Sequence, residues 1–156
     1  MKGVLLLISS TRMSQKSVEH AMRICREKEL PLHVTFILDS EIAEHIFDQL
    51  TTEGFLGDRP GELVQNAVMA EYEIRGRTKI EEICNMARQN GVECNTVFKK
   101  GNFLEQCRNI ISLKKIEHIV ITRRKRSNLS RFIFGSVIEQ LRKEFTDVVF
   151  EVFDEE

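Results

Sequence analysis

Val4-Leu5-Leu6-Leu7-Ile8, followed at once by Ser9-Ser10-Thr11, is the stretch that decides the fold. An unbroken apolar run, with no polar residue at alternate positions, describes a strand buried on both faces. Such a strand needs cover above and below, and the chain supplies it in alternation. Val18, Ala21, Met22 and Cys25 repeat at helical spacing up to about Glu27, with Ser14 or Ser17 as the cap. Pro31 closes that helix region, and Leu32 to Leu38 is rich in β-formers. A short amphipathic helix holding Ile42, Ile46, Phe47 and Leu50 is expected after Asp39 or Ser40. Gly54, Gly57, Pro60 and Gly61 then mark a loop that could be a lid, an interaction loop or a plain connection.

Further on, Leu63, Ala67, Ala70, Ile74, Ile80, Ile83 and Ala87 predict a long helix from about Glu62 to Gln89, with Gly76 its weak point and Asn90-Gly91 its stop. Val92 to Phe98 reads as a third strand ending at Gly101, and Phe103 to Leu113 as a helix. Ile116 to Thr122 is a fourth strand, Phe134 to Glu144 a helix and Val148 to Phe153 a last strand. Strands alternating with helices imply a parallel sheet covered on both faces. The expected fold is therefore α/β, one domain over residues 1–156, with an open five-stranded parallel sheet flanked by helices.

The chain has 156 residues, with 23 Lys+Arg against 24 Asp+Glu and a formal net charge of -1. That balance argues against a general nucleic-acid or membrane binder. The total hides an uneven distribution. Arg123, Arg124, Lys125, Arg126 and Arg131 fall within nine residues that contain no acid, which leaves 18 bases against 24 acids elsewhere. The apolar run at Val4 is too short for a signal-peptide core or a bilayer span, so a cytoplasmic location is expected. Cys25, Cys84, Cys94 and Cys107 are scattered, with no Cys-x-x-Cys pair, and read as small buried hydrophobes kept reduced. His20, His33, His45 and His118 sit in different elements, so no metal site is expected.

Ligands of open parallel sheets bind beyond the carboxyl ends of the strands, where strand order reverses. The segments to inspect are Ser9-Ser10-Thr11 and the loop from Thr122 to Ser136. Gly135 lets backbone approach a ligand, Ser136 adds a hydroxyl, and the free N–H groups of the following helix turn favour an anion. Arg124, Lys125, Arg126 and Arg131 would add charge-assisted contacts to phosphate. The plainer reading is that Gly135 permits close packing and the arginines are solvated surface.

The segment Glu117-His118-Ile119-Val120-Ile121-Thr122 through Ser136-Val137, continuing to Val148-Val149-Phe150, resembles the C-terminal half of the universal stress protein family. Nucleotide-binding members of that family show Gly, two residues, Gly, nine residues, then Gly-Ser or Gly-Thr. Gly135-Ser136 ends such a pattern here, but Thr122 and Lys125 stand where the two leading glycines belong. Gly91-Val92-Glu93, the Gly101 turn and the element order also look like that family. The resemblance implies an adenine-nucleotide α-hydrolase-like fold of the universal stress protein type, with Ile37 as an adenine-facing contact. It also implies a homodimer joined antiparallel through the last strand, where Val148, Phe150, Val152 and Phe153 are the interface candidates.

Departures from the pattern point to weak or absent ATP binding. An Asp usual after the first strand is replaced by Ser9 or Ser10, and a Cβ at Thr122 or Lys125 takes room that phosphate would need. Three readings stay open. The chain is a stress-response regulator with little ATP affinity; or it holds ATP, AMP or another phosphate anion through Gly135-Ser136 and the basic loop; or it docks a polyanion or an unknown protein partner through Arg123 to Arg131. Nucleic acid is disfavoured by the scarcity of aromatics near that patch. No catalytic constellation emerges, since elbow, P-loop and His-x-x-x-His motifs are all missing. Cys107 beside Arg108 is the one thiol considered for a lowered pKa.

Overall fold

All six residues of the first strand, β1 (Gly3–Ile8), are buried, as are all seven of β2 (Leu32–Leu38). The computed structural model describes residues 2–8, 15–39, 62–124 and 137–155. The remaining described elements are α1 (Gln15–Lys28), α2 (Glu62–Gln89), β3 (Cys94–Lys100), α3 (Phe103–Leu113), β4 (Ile116–Arg124), α4 (Ile138–Glu144) and β5 (Val149–Glu155). The strands form one five-stranded sheet in the order β3-β2-β1-β4-β5, and every neighbouring pair is parallel.

Alternation along β1 divides the interior in two. Val4, Leu6 and Ile8 join Val34, Phe36, Val120 and residues of α1 and α2 such as Val18, Ala21, Ile80 and Ile83. Leu5 and Leu7 join Ile119, Ile121 and residues of α3 and α4 such as Phe103, Ile110, Ile138 and Leu141. A continuous apolar run is thus what a strand with helices on both faces requires. Burial of a fully enclosed Leu or Ile contributes about 1.5–3 kcal/mol, so the two clusters carry most of the stabilisation.

Strand ends differ from the expected ones for identifiable reasons. β3 starts at Cys94 rather than Val92, because the Val92 N–H is taken by the Ala87 carbonyl in the turn that ends α2. Gly91 makes that turn at φ +78, and pairing with β2 begins at Cys94 opposite Leu32. β4 continues two residues past Thr122, and β5 runs from Val149 to Glu155 rather than from Val148 to Phe153. The two extensions pair with each other, Arg123 with Asp154 and Arg124 with Glu155. Ser17 lies inside α1 rather than capping it. The helix expected at Ile42 to Leu50 and the loop at Gly54 to Gly61 lie outside the described residues.

α2 runs unbroken through Gly76, and the glycine has a packing reason. A Cβ there would stand 2.6 Å from carbons of the Phe36 ring. That ring stacks on Phe98 at 6.1 Å and lies 6.1 Å from Tyr72, while the Arg77 guanidinium sits 3.9 Å above Phe98. The helix therefore gives up propensity at one position so that the central aromatic ring can lie against its backbone. Gly3 plays a similar part for the His33 ring, whose nearest atoms would be 2.9 Å from a Cβ. Burial, with a smaller contribution from Lys114, lowers His33 to about 4. Gly76→Ala should destabilise the protein by about 1–3 kcal/mol, the clash outweighing a propensity gain of about 1 kcal/mol. Denaturant unfolding followed by circular dichroism measures the sign, and a stabilised variant would contradict the packing account.

Candidate ligand site at the carboxyl ends of the strands

The chain steps from β1 outward to β2 and β3, then returns to the other side of β1 to build β4 and β5. Strand order therefore reverses between β1 and β4, and the crevice beyond their carboxyl ends is the place such sheets hold ligands. Leu7 of β1 is in register with Ile121 of β4, so the two strands leave the sheet side by side. Of the sequence-predicted site residues, Ser9, Ser10, Lys125, Arg126, Arg131, Gly135 and Ser136 lie outside the described residues.

Ile37, Thr122 and the backbone of Arg124 are described. Thr122 is buried, and its Oγ1 is hydrogen-bonded to Ser17 Oγ of α1. Its side chain thus faces the α1 side of the sheet. Ile37 faces the other way, packed in the cluster that contains Leu5, Leu7, Val97 and Phe103. Arg123 and Arg124 belong to β4 rather than to the loop, opposite Asp154 and Glu155 of β5. The basic loop is therefore shorter than expected, with Lys125, Arg126 and Arg131 left to it.

The neighbouring strand ends are tied together by an acid. Asp39 Oδ2 accepts a hydrogen bond from the Phe103 N–H at 2.7 Å, across from β2 to the first residue of α3. Asn102 caps the same helix, its Oδ1 accepting from the Glu105 N–H at 3.0 Å. The Gly101 N–H donates to the Leu38 carbonyl at 3.1 Å. A carboxylate at a helix N-terminus is favoured by the helix dipole, and this one fills the place an anionic ligand would take at α3.

On the α2 side of the same end lies a cleft of about 450 Å³ lined by Leu38, Asn66, Met69, Ala70, Glu73, Lys100 and Gly101. Its apolar floor carries one ion pair, Glu73 with Lys100, and Arg77 approaches the same carboxylate at 3.9 Å. The hydrogen bond from Lys100 holds the Glu73 carboxyl below its ordinary range, against partial burial. Sequence reading did not find this cleft. The signal was a matter of length: α2 has 28 residues and spans about 42 Å. Its seven-residue neighbours reach only about 23 Å, so the helix must overhang the sheet.

All four cysteines are buried and free. Cys107 is no activated thiol, because burial pushes it up to about 12. Among the described residues no cluster of His, Cys, Asp or Glu could hold a metal ion, and no helix is long and apolar enough to cross a membrane. Glu81 and Glu82 lie exposed on α2.

A parallel sheet with this strand order, reversing between β1 and β4, defines a doubly wound α/β protein. The model of the universal stress protein family matches residues 1–149, and the chain belongs to that family. It is a stress-response family, and the five-stranded parallel sheet with helices on both faces is its fold. No curated protein sequence matches the chain. Solved structures share the fold at low identity. A universal stress family protein from Burkholderia pseudomallei has a TM-score of 0.62 at 13% identity, over 97% of this chain and 95% of its own. The Archaeoglobus fulgidus universal stress protein in complex with dAMP has 0.55 at 14%, over 99% and 97%. A universal stress protein in complex with cAMP has 0.54 at 10%, over 97% and 96%.

The tie between β2 and α3 has a measurable weight. Asp39→Ala should cost about 1–2 kcal/mol, as for loss of a helix cap, while Asp39→Asn keeps an acceptor and costs less. Thermal unfolding of the two variants checks the order, and equal losses would show that the cap is not what Asp39 supplies.

Proposed function

We propose that the chain is a cytoplasmic stress-response regulator, a single α/β domain over residues 1–156. It acts as a homodimer, catalyses no reaction of its own, and binds ATP weakly or not at all. One observation carries the nucleotide part of this reading: β4 stays extended and paired through Thr122, Arg123 and Arg124. Nucleotide-binding relatives have a glycine where Thr122 stands, and the Thr122 hydroxyl here is engaged by Ser17 beneath α1. Backbone held in a ladder does not wrap a triphosphate, and a Cβ with its branches narrows the approach.

Pairing rests on the edge. β5 is the last strand of the sheet, and Val148, Phe150, Val152 and Phe153 are half-buried there against the two core clusters. An apolar edge with open backbone groups favours a symmetric partner that completes the ladder.

A second reading is favoured by the relatives solved with dAMP and cAMP. On that reading the site takes AMP or another phosphate anion, with Gly135 and Ser136 giving backbone and hydroxyl contacts, Lys125, Arg126 and Arg131 supplying charge, and Ile37, Ser9 and Ser10 completing the pocket. Polyanion or partner docking is weaker, because two of the five bases sit opposite acids in the sheet.

Calorimetry at physiological salt tests the nucleotide part. ATP should bind with a dissociation constant weaker than roughly 100 μM, and a low-micromolar value would overturn the reading. Tighter binding of AMP than ATP, or AMP released from freshly purified protein on denaturation, would move the second reading to the front. Sedimentation at tens of micromolar should show a dimer, and a monomer there would remove the pairing claim.

A further inference from the structure

Polar contacts join α2 to the edge strand β3 at a fixed interval. Thr96 Oγ1 donates to Glu81 at 3.4 Å, the Arg77 guanidinium lies 3.9 Å above the Phe98 ring, and Lys100 Nζ stands 2.5 Å from a Glu73 oxygen. Each step of four residues down the helix matches two along the strand, because four helical rises and two strand rises both come to about 6–7 Å. The series stops at Lys100. β3 ends there, and Gly101 turns the chain at φ +140 towards α3. One step further down α2, Met69 and Ala70 have no strand residue opposite them among the described residues. The cleft of about 450 Å³ is the space left beside them.

We propose that this cleft binds a small apolar carboxylate, a body of one or two rings lying on its floor with the acid group on Lys100. It lies over β2 and β3 on the α2 side, apart from the β1–β4 crevice of the nucleotide readings. Its volume falls within the range of small-molecule sites, about 300–1,000 Å³. Leu38 and Met69 give an apolar floor, and the unbranched thioether of Met69 adapts readily to a flat ring.

Charge sets the sign of the ligand. Glu73 is met by two cations, Lys100 and, at 3.9 Å, Arg77, so the rim carries one positive charge in excess. The Lys100 side chain is 63% exposed, whereas Arg77 is held over Phe98. Lys100 therefore turns to an incoming anion while Arg77 stays with Glu73, and no carboxylate is left without a cation. Phosphate suits the cleft less well. The Gly101 N–H already donates to the Leu38 carbonyl, and one surplus charge balances a monoanion rather than a phosphate dianion.

Titration of naphthalene-1-carboxylate into the isotopically labelled chain tests this, read at the Met69 methyl and Gly101 amide resonances with the uncharged naphthalene-1-carboxamide as control. Both resonances should move saturably, with a dissociation constant of about 0.1–1 mM for the acid. The amide should bind about five-fold more weakly, the difference that an exposed ion pair supplies. Lys100→Gln should bind acid and amide alike. Glu73→Gln should bind the acid about three-fold more tightly, since Lys100 then has no partner to leave. Ala70→Trp, a change at an exposed position, should block both compounds. Circular dichroism checks that each variant is folded. Shifts that do not saturate, shifts confined to Leu7 and Ile121 beside the β1–β4 crevice, or an acid preference that survives Lys100→Gln would overturn the proposal.

Discussion

A parallel sheet cannot close on itself with short turns, and that constraint organises everything else in the chain. Each strand must be regained by a crossover, the crossover helices land on the faces, and the strands between them are left without water on either side. β1 bears the full consequence, with two strands beside it and helices above and below. Its apolar residues are shared between two separate clusters, so a single substitution there disturbs one half of the interior directly and the other through the common strand. The same constraint sends every helix N-terminus and every strand carboxyl end to one edge of the sheet, which is why the polar ties, the cleft and the expected ligand crevice all gather there.

At that edge the protein commits polar and charged groups to its own partners. Asp39 is bound to the start of α3, Lys100 to Glu73, and Thr122 to Ser17. Arg123 and Arg124 occupy register positions opposite Asp154 and Glu155. The near-zero net charge of the sequence is in part a local balance between neighbouring strands β4 and β5. The carboxyl end of β4 is thus engaged by its own neighbours, through Thr122 on Ser17 and the ladder with β5.

Much of the fold was legible because periodicity is a local signal. The bounds of β2, α2 and α3 came directly from apolar repeats, from Pro31 and from the Asn90-Gly91 stop. What the sequence hid was set by partners. The start of β3 depends on Leu32 across the ladder, and the length of β4 depends on how far β5 runs. Gly76 read as a weakness because its justification, the Phe36 ring, is on another element. The histidines looked unrelated for the same reason, since His20 and His118 are joined only through Glu151 of a third element. Of the candidate site, the expectation of a place at the carboxyl ends came from element order; the commitment of Asp39 and Thr122 to internal partners is tertiary and leaves no mark on spacing.

The burial of the cysteines gives the molecule a set of internal probes. Cys25, Cys84 and Cys94 belong to the cluster under α1 and α2, and Cys107 to the cluster under α3 and α4. Burial raises the pKa of Cys25, Cys94 and Cys107, so in the closed state they present neither access nor thiolate to a reagent. Modification must then wait for the chain to open around each thiol. The rates at which the thiols are modified would report, separately for the two sides of the sheet, how often each layer of helices lifts away from the strands.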